Sequence, residues 1–249
     1  MNYVITFSPT GGVDRAAGML ASRLFDSYET IDISRKPEER KNLASDDTAL
    51  IALPSFSGRC PSLAIENLRM VRGKSTKAIA MIVYGNRAYE DTLIELNDTL
   101  VSCGFSVVAG VAALAEHSIL RQYASGRPDE EDRKVLEGFA GRIKDKLALK
   151  AIGVPVIPGN RPYKAMGGHP TPITTDSCTK CGICASKCPA QAINTADPTE
   201  IDGEKCIGCM RCIKVCPVNA KLVPEATLQG LDARIGKLLE GRKEAELFL

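Results

Sequence analysis

Ten cysteines are present in the 249-residue chain, and eight of them fall between Cys178 and Cys216. Cys178, Cys181, Cys184 and Cys188 are spaced C-x2-C-x2-C-x3-C-P, and Cys206, Cys209, Cys212 and Cys216 repeat the pattern 28 residues later. Thiolates are soft metal ligands, and clustered thiols in a reducing compartment mean metal or redox chemistry rather than disulfides. The spacing narrows the choice of metal. Three thiolates on one tight loop reach three irons of a cubane, while the cysteine before proline is turned away toward a second cubane. That assigns Cys178, Cys181, Cys184 and Cys216 to one [4Fe-4S] cluster, and Cys206, Cys209, Cys212 and Cys188 to another. Gly182 and Gly208 let the backbone pass close to the sulfides. Sets of four cysteines also bind zinc. Zinc ribbons, however, separate a pair of C-x2-C units by a longer insert and do not repeat three cysteines plus Cys-Pro.

Residues 176–224 thereby resemble a two-cluster bacterial ferredoxin. The resemblance implies one-electron transfer at low potential, with the two clusters close enough to exchange an electron.

The elements ahead of the cysteines alternate. "YVITF", "ETIDI", "TALIAL", "KAIAMIVYG" and "FSVVAGVAAL" are strand-like, and they are separated largely by helix-like segments. Mostly apolar strands alternating with helices predict a parallel sheet covered on both faces. Five strands suggest the doubly wound order 2-1-3-4-5, with a ligand beyond the carboxyl ends of the strands. Residues 1–150 form this module, and residues 151–175 a Pro/Gly-rich linker holding five of the fourteen prolines. Residues 176–224 form a small α+β cysteine module, and residues 225–249 are expected to be a C-terminal helix.

Three loops of the front module converge at the ligand edge of such a sheet. The first carries Ser8, Thr10, Gly11, Gly12 and Val13, where loop amides and a helix N-terminus favour an anion. It lacks both a Walker lysine and G-x-G-x-x-G, which disfavours a magnesium–nucleotide or a dinucleotide. The second carries Pro54, Ser55, Phe56, Ser57 and Gly58; the third Gly85, Asn86 and Tyr89. Phe56 or Tyr89 can stack on a flat ring, or merely plug the end of the sheet.

This constellation resembles the FMN site of flavodoxins. Gly12 and Val13 stand where that family has Asn-Thr or a similar pair, and Pro9 removes an amide. The whole chain resembles flavodoxin–ferredoxin fusion proteins, sometimes called ferrodoxins, which implies FMN and two [4Fe-4S] clusters in one electron-transfer protein with a redox partner. The enzyme alternative is a flavin-dependent reductase fed by the clusters. A third reading leaves the front module empty as a docking unit. Arg59 and Arg87 lie in the ring loops, and a guanidinium near the ring is expected to raise the flavin potential; otherwise both pair with acids such as Glu90.

Composition excludes little. Hydrophobic residues make up 44% and charged residues 25%, with a net charge of +2. Neither module has the one-sided basic face of a nucleic-acid binder. No apolar run approaches the roughly 20 residues of a membrane span, and "MNYVITF" lacks signal-peptide character, so a cytoplasmic protein is expected. Cys60 stands next to Arg59 in a ligand loop, where it is either a reactive thiol or a small buried residue. Cys103 is expected to be structural, and His117 and His169 have no triad pattern around them.

Overall fold

The computed structural model describes residues 1–149 and 151–249. Its elements run β1 (Asn2–Thr6), α1 (Gly12–Leu24), β2 (Glu29–Asp32), β3 (Lys41–Asn42), β4 (Thr48–Pro54), α2 (Ser62–Leu68), β5 (Val71–Arg72), β6 (Thr76–Tyr84), α3 (Thr92–Ser102), β7 (Phe105–Leu114) and α4 (Glu130–Leu147). The cysteine segment adds β8 (Ile173–Thr174), α5 (Ile183–Lys187), α6 (Arg211–Lys214) and β9 (Lys221–Leu222). The chain ends with α7 (Glu225–Leu239) and β10 (Glu246–Phe248).

The main sheet runs β2-β1-β4-β6-β7-β10, and the first five strands are mutually parallel. Period-2 alternation explains how it is covered twice. In β4, Ala49, Ile51 and Leu53 face one core with α2 and α3, while Leu50 and Ala52 face another with α1 and α4. A sheet buried on both faces demands unbroken apolar strands, and β4 and β6 supply them. Lys41–Asn42 and Val71–Arg72 form a separate parallel pair. No helix among the described residues is long and apolar enough to cross a membrane.

Two expectations are corrected. The sheet has six strands rather than five, and residues 225–249 are not one helix. α7 stops at Leu239, Gly241 takes a left-handed φ of 72°, and β10 then pairs antiparallel with β7. Leu247 and Phe248 lie beyond Gly241, outside the helix. In the strand these two point to opposite cores, as alternation requires. Asn86 fixes the break, donating from Nδ2 to the carbonyls of Leu239 and Gly241 at 2.6 and 2.7 Å.

The linker is also structured on the front module. Ile157 packs against its core, and Asp91 accepts hydrogen bonds from the backbone N–H groups of Asn160 and Lys164 at 2.8 and 2.7 Å. Arg161 and Tyr163 both reach Asp98. The stretch "GNRPYK" therefore wraps α3.

One charged pair lies deep in the fold. Arg127 and Asp132 are 4% and 2% exposed and bond through two guanidinium nitrogens, while Arg127 Nη1 also reaches the Lys243 carbonyl of the returning tail. Asp132 and Asp129 form a reciprocal cap at the start of α4 as well. Removing one partner of a buried pair leaves the other uncompensated. Asp132→Ala is therefore expected to lower stability by about 3–5 kcal/mol, read as a shift of the denaturant midpoint.

Candidate functional site

The two cysteine motifs share a backbone before they share side chains. Lys180 and Gly182 in the first copy, and Gly208 and Met210 in the second, all take positive φ. So do Gln191 and Asn219, each three residues past its Cys-Pro cysteine. These left-handed turns bend each loop around a hollow. One hollow is lined by Cys178, Cys181, Cys184 and Cys216, with Val218 and Lys221 beside them. The other is lined by Cys188, Cys206, Cys209 and Cys212, with Ile193 and Arg211. Each set of four thus draws its fourth member from the other motif.

Backbone N–H groups already point at several of these sulfurs. Ala220 donates to Cys216 Sγ at 3.2 Å, and Ala192 to Cys188 Sγ and Gly208 to Cys206 Sγ at 3.4 Å each. Burial pushes the thiols of Cys209 and Cys212 up to about 12 and about 11. For Cys216 burial also pushes upward, but amides of Val218, Ala220 and Lys221 outweigh it and the value falls. Sulfurs of this kind become thiolates when a metal replaces the proton.

At the carboxyl edge of the sheet lies a cavity of about 620 Å³. Phe56 and Ser57 come from the β4 loop, Arg87 from the β6 loop and His117 from the β7 loop. Met166 in the linker, Leu231 on α7 and Ile207 with Gly208 of the second cysteine motif close it. A smaller hollow of about 80 Å³ adjoins it at the start of α1. Thr10, Gly12, Val13, Pro54, Phe56 and Gly85 line that hollow, and so does Cys209. The β4 loop is a tight hairpin: Phe56 and Arg59 exchange backbone hydrogen bonds across Ser57 (φ 52°) and Gly58 (φ 82°). Positive φ at both central positions is the type I′ geometry.

Residues 177–220 match the family model of the 4Fe-4S dicluster domain. The dicluster match covers both motifs. No curated protein matches the chain in sequence. Similar solved structures include a flavodoxin from the domain Archaea, 12% identical with a TM-score of 0.41, covering 59% of this chain and 97% of that one. The flavodoxin of Streptococcus pneumonia TIGR4 is 16% identical with a TM-score of 0.42, covering 58% and 98%. An apo NADH:FMN oxidoreductase is 14% identical with a TM-score of 0.42, covering 60% and 90%.

The sequence-expected ring and phosphate residues divide into two groups. Thr10, Gly12, Val13, Pro54, Ser55, Phe56, Ser57 and Gly85 stand on the walls of the two cavities. Ser8, Gly11, Gly58, Asn86 and Tyr89 do not. The Ser8 hydroxyl accepts from the Asp14 amide at 3.0 Å and so closes the start of α1. Gly11 precedes that helix with φ 87°. A Cβ on Gly58 would strike the Glu90 carboxylate. Asn86 is engaged by the tail, and Tyr89 packs edge-on to Tyr84 at 5.3 Å.

Arg59 is corrected likewise. Its guanidinium grips Glu95 through two bonds of 2.7 and 2.8 Å and lies over the Tyr163 ring at 4.9 Å, away from the cavity. Arg87 does reach the cavity wall, but both terminal nitrogens bond Glu90 at 2.9 Å. Cys60 is fully buried, and burial raises its thiol well above the ordinary range, which makes it inert. Cys103 is buried at the end of α3.

His117 belongs to the site although no motif surrounds it. It lines both cavities, and a Cβ on Gly85 would come within 2.8 Å of it. The one available signal was its place just after the last parallel strand, on the loop-bearing edge. Its Nδ1 accepts from the amides of Ile119 and Leu120 at 3.3 and 3.0 Å, so a neutral ring carries its proton on Nε2. Burial, with a smaller push from the Arg87 charge, lowers its value from 6.5 to about 4. Between those values the unfolded chain binds a proton that the folded chain refuses. Stability therefore rises with pH across this window and falls on acidification. His117→Gln is expected to flatten that segment of the stability–pH curve, measured by urea unfolding at about pH 5 and about pH 7.

Proposed function

We propose that the chain is an electron carrier holding FMN at the sheet edge and two [4Fe-4S] clusters in the cysteine hollows. One observation carries the reading. Cys209 is a wall of the hollow it shares with Cys188, Cys206 and Cys212, the inner of the two, and also a wall of the hollow that Thr10 and Phe56 line. The two candidate sites share a partition rather than standing apart.

The donor sets fit the groups. Four sulfurs per hollow match the demand of a cubane, and backbone amides aimed at sulfur favour a negatively charged cluster. A cavity of about 620 Å³ with an aromatic wall suits a flavin ring. The start of α1, with the Thr10 hydroxyl, offers donors to a phosphate. When bound, FMN exchanges electrons in pairs and each cluster passes them singly.

The protein's own residues do the rest. Phe56 presents an apolar face, and neutral His117 offers an N–H donor at neutral pH. The linker and α7 cover the cavity and limit water. The outer cysteine set faces solvent: Cys181 is exposed, and Ile183 and Val218 beside it are 39% and 41% exposed. A one-electron partner protein is expected to dock there, in the cytoplasm.

A flavin-dependent reductase is the second reading. It is favoured by a further cavity of about 420 Å³ that shares Gly168, His169 and Arg234 with the main one and leaves room for a substrate. Turnover with NADH or NADPH separates the two readings.

Protein purified without oxygen is expected to contain about eight irons, matching acid-labile sulfide, and about one FMN per chain. Metal analysis and flavin absorbance check this. Zinc in place of iron removes the clusters from the proposal, and colourless protein after iron loss removes the flavin.

A further inference from the structure

The most unusual side chain in the cysteine module is Lys221. It is 2% exposed, among the least accessible large side chains of the protein. Its Nζ donates to Thr174 Oγ1 and to the Pro198 carbonyl, each at 2.5 Å. Both acceptors are neutral, and among the described residues it forms no salt bridge with a carboxylate. A buried ammonium without an anion is costly. The nearest candidates for that anion are sulfurs. Lys221 lines the same hollow as Cys178, Cys181, Cys184 and Cys216, and is not on the walls of the other.

The internal repeat sharpens the point. Lys221 stands five residues after Cys216, and its counterpart five residues after Cys188 is Ile193. Ile193 is 5% exposed and lines the other hollow. An aliphatic residue therefore satisfies this position structurally. At this position the chain has placed a cation in one copy only; the cation beside the other hollow, Arg211, comes from a different position of its loop.

We propose that Lys221 is the buried counter-charge of the outer cluster and raises its reduction potential. The proposal rests on the two-cluster reading above. Reduction adds one electron, and so one negative charge, to a cluster already negative through its four thiolates. A fixed cation lining the same hollow, shielded from water, stabilises that added charge more than it stabilises the oxidised state. Arg211 lines the other hollow, so each cluster has a cation beside it, and Lys221 sets the level of the solvent-facing one.

The test is a potentiometric titration followed by electron paramagnetic resonance, on oxygen-free holoprotein. Lys221→Met and Lys221→Gln remove the charge; Thr174→Val removes one acceptor of Lys221 and that hydroxyl's own donation to the Thr199 carbonyl, but no charge. Both neutral variants are expected to shift one titration step downward by at least about tenfold in its equilibrium constant, which is about 59 mV for one electron. The second step moves less, and Thr174→Val leaves both in place. Unmoved steps in Lys221→Met and Lys221→Gln overturn the proposal, as do equal shifts in Thr174→Val. Should neither neutral variant assemble its clusters, Lys221→Arg decides. Assembly with arginine supports a required charge, and failure with arginine assigns Lys221 to packing alone. Wild-type protein with fewer than about eight irons breaks the parent reading instead, independently of any variant.

Discussion

Two anchors on the same sheet hold the cysteine segment in place, and the shared wall between the sites depends on them. Entering, the chain lays Ile157 on the front core and ties the Asn160 and Lys164 amides to Asp91. Leaving, it adds β10 to the edge of β7, with Leu247 and Phe248 inserted on opposite faces. Fixing both ends turns the intervening module into a closed loop, whose closure entropy grows only slowly with length. A module tied at one end would sample many orientations. Tied at both, it keeps Ile207, Gly208 and Cys209 against the cavity at the strand ends. Gly110 leaves room for the first anchor, since a Cβ there would fall 2.5 Å from the Ile157 side chain.

How much of this was legible in the sequence follows from the range of each interaction. Cysteine spacing is a local constraint, so the motif residues could be read directly. The five parallel strands were legible because a doubly covered sheet forces continuous apolar runs. The tail was not. Residues 246–248 are too short to display a period, and their strand exists only because β7 offers an open edge. Asn86 and Tyr89 were misplaced for a related reason. Position on a loop fixes which edge of the sheet a residue occupies, but not which way it turns. Asn86 turns to the tail because two orphan carbonyls wait there, a demand created by residues more than 150 positions away.

Acidic partners settle what the arginines can do. Glu95 takes Arg59 and also accepts the Cys60 amide at 2.9 Å, so it stabilises the β4 hairpin rather than the ring site. Glu90 takes Arg87 and Lys164 together, and the Arg87 bond holds its carboxyl below the usual range. A guanidinium already sharing two hydrogen bonds with a carboxylate projects a reduced net field into the neighbouring cavity, felt at His117 as the smaller of the two pushes on its value. Sign and proximity alone overstate such residues. Lys221 differs because its acceptors carry no charge, so its field is not cancelled locally.

The repeat shows where selection for contact has overridden symmetry. Both copies need left-handed residues at the same two loop positions, before and after the second cysteine. Glycine meets that need without strain, whereas for other residues it costs roughly 1–2 kcal/mol. The first copy places glycine at the later position, Gly182, where nothing crowds it, and accepts the strain at exposed Lys180. The second copy reverses the choice. Gly208 takes the earlier position, because a Cβ there would fall 2.6 Å from the His169 side chain of the linker. Met210 then bears the left-handed turn, and its burial beside the inner hollow offsets the cost. The glycine has moved to the point where the cysteine module meets the cover of the cavity. Close approach between modules, rather than loop geometry alone, decides its place.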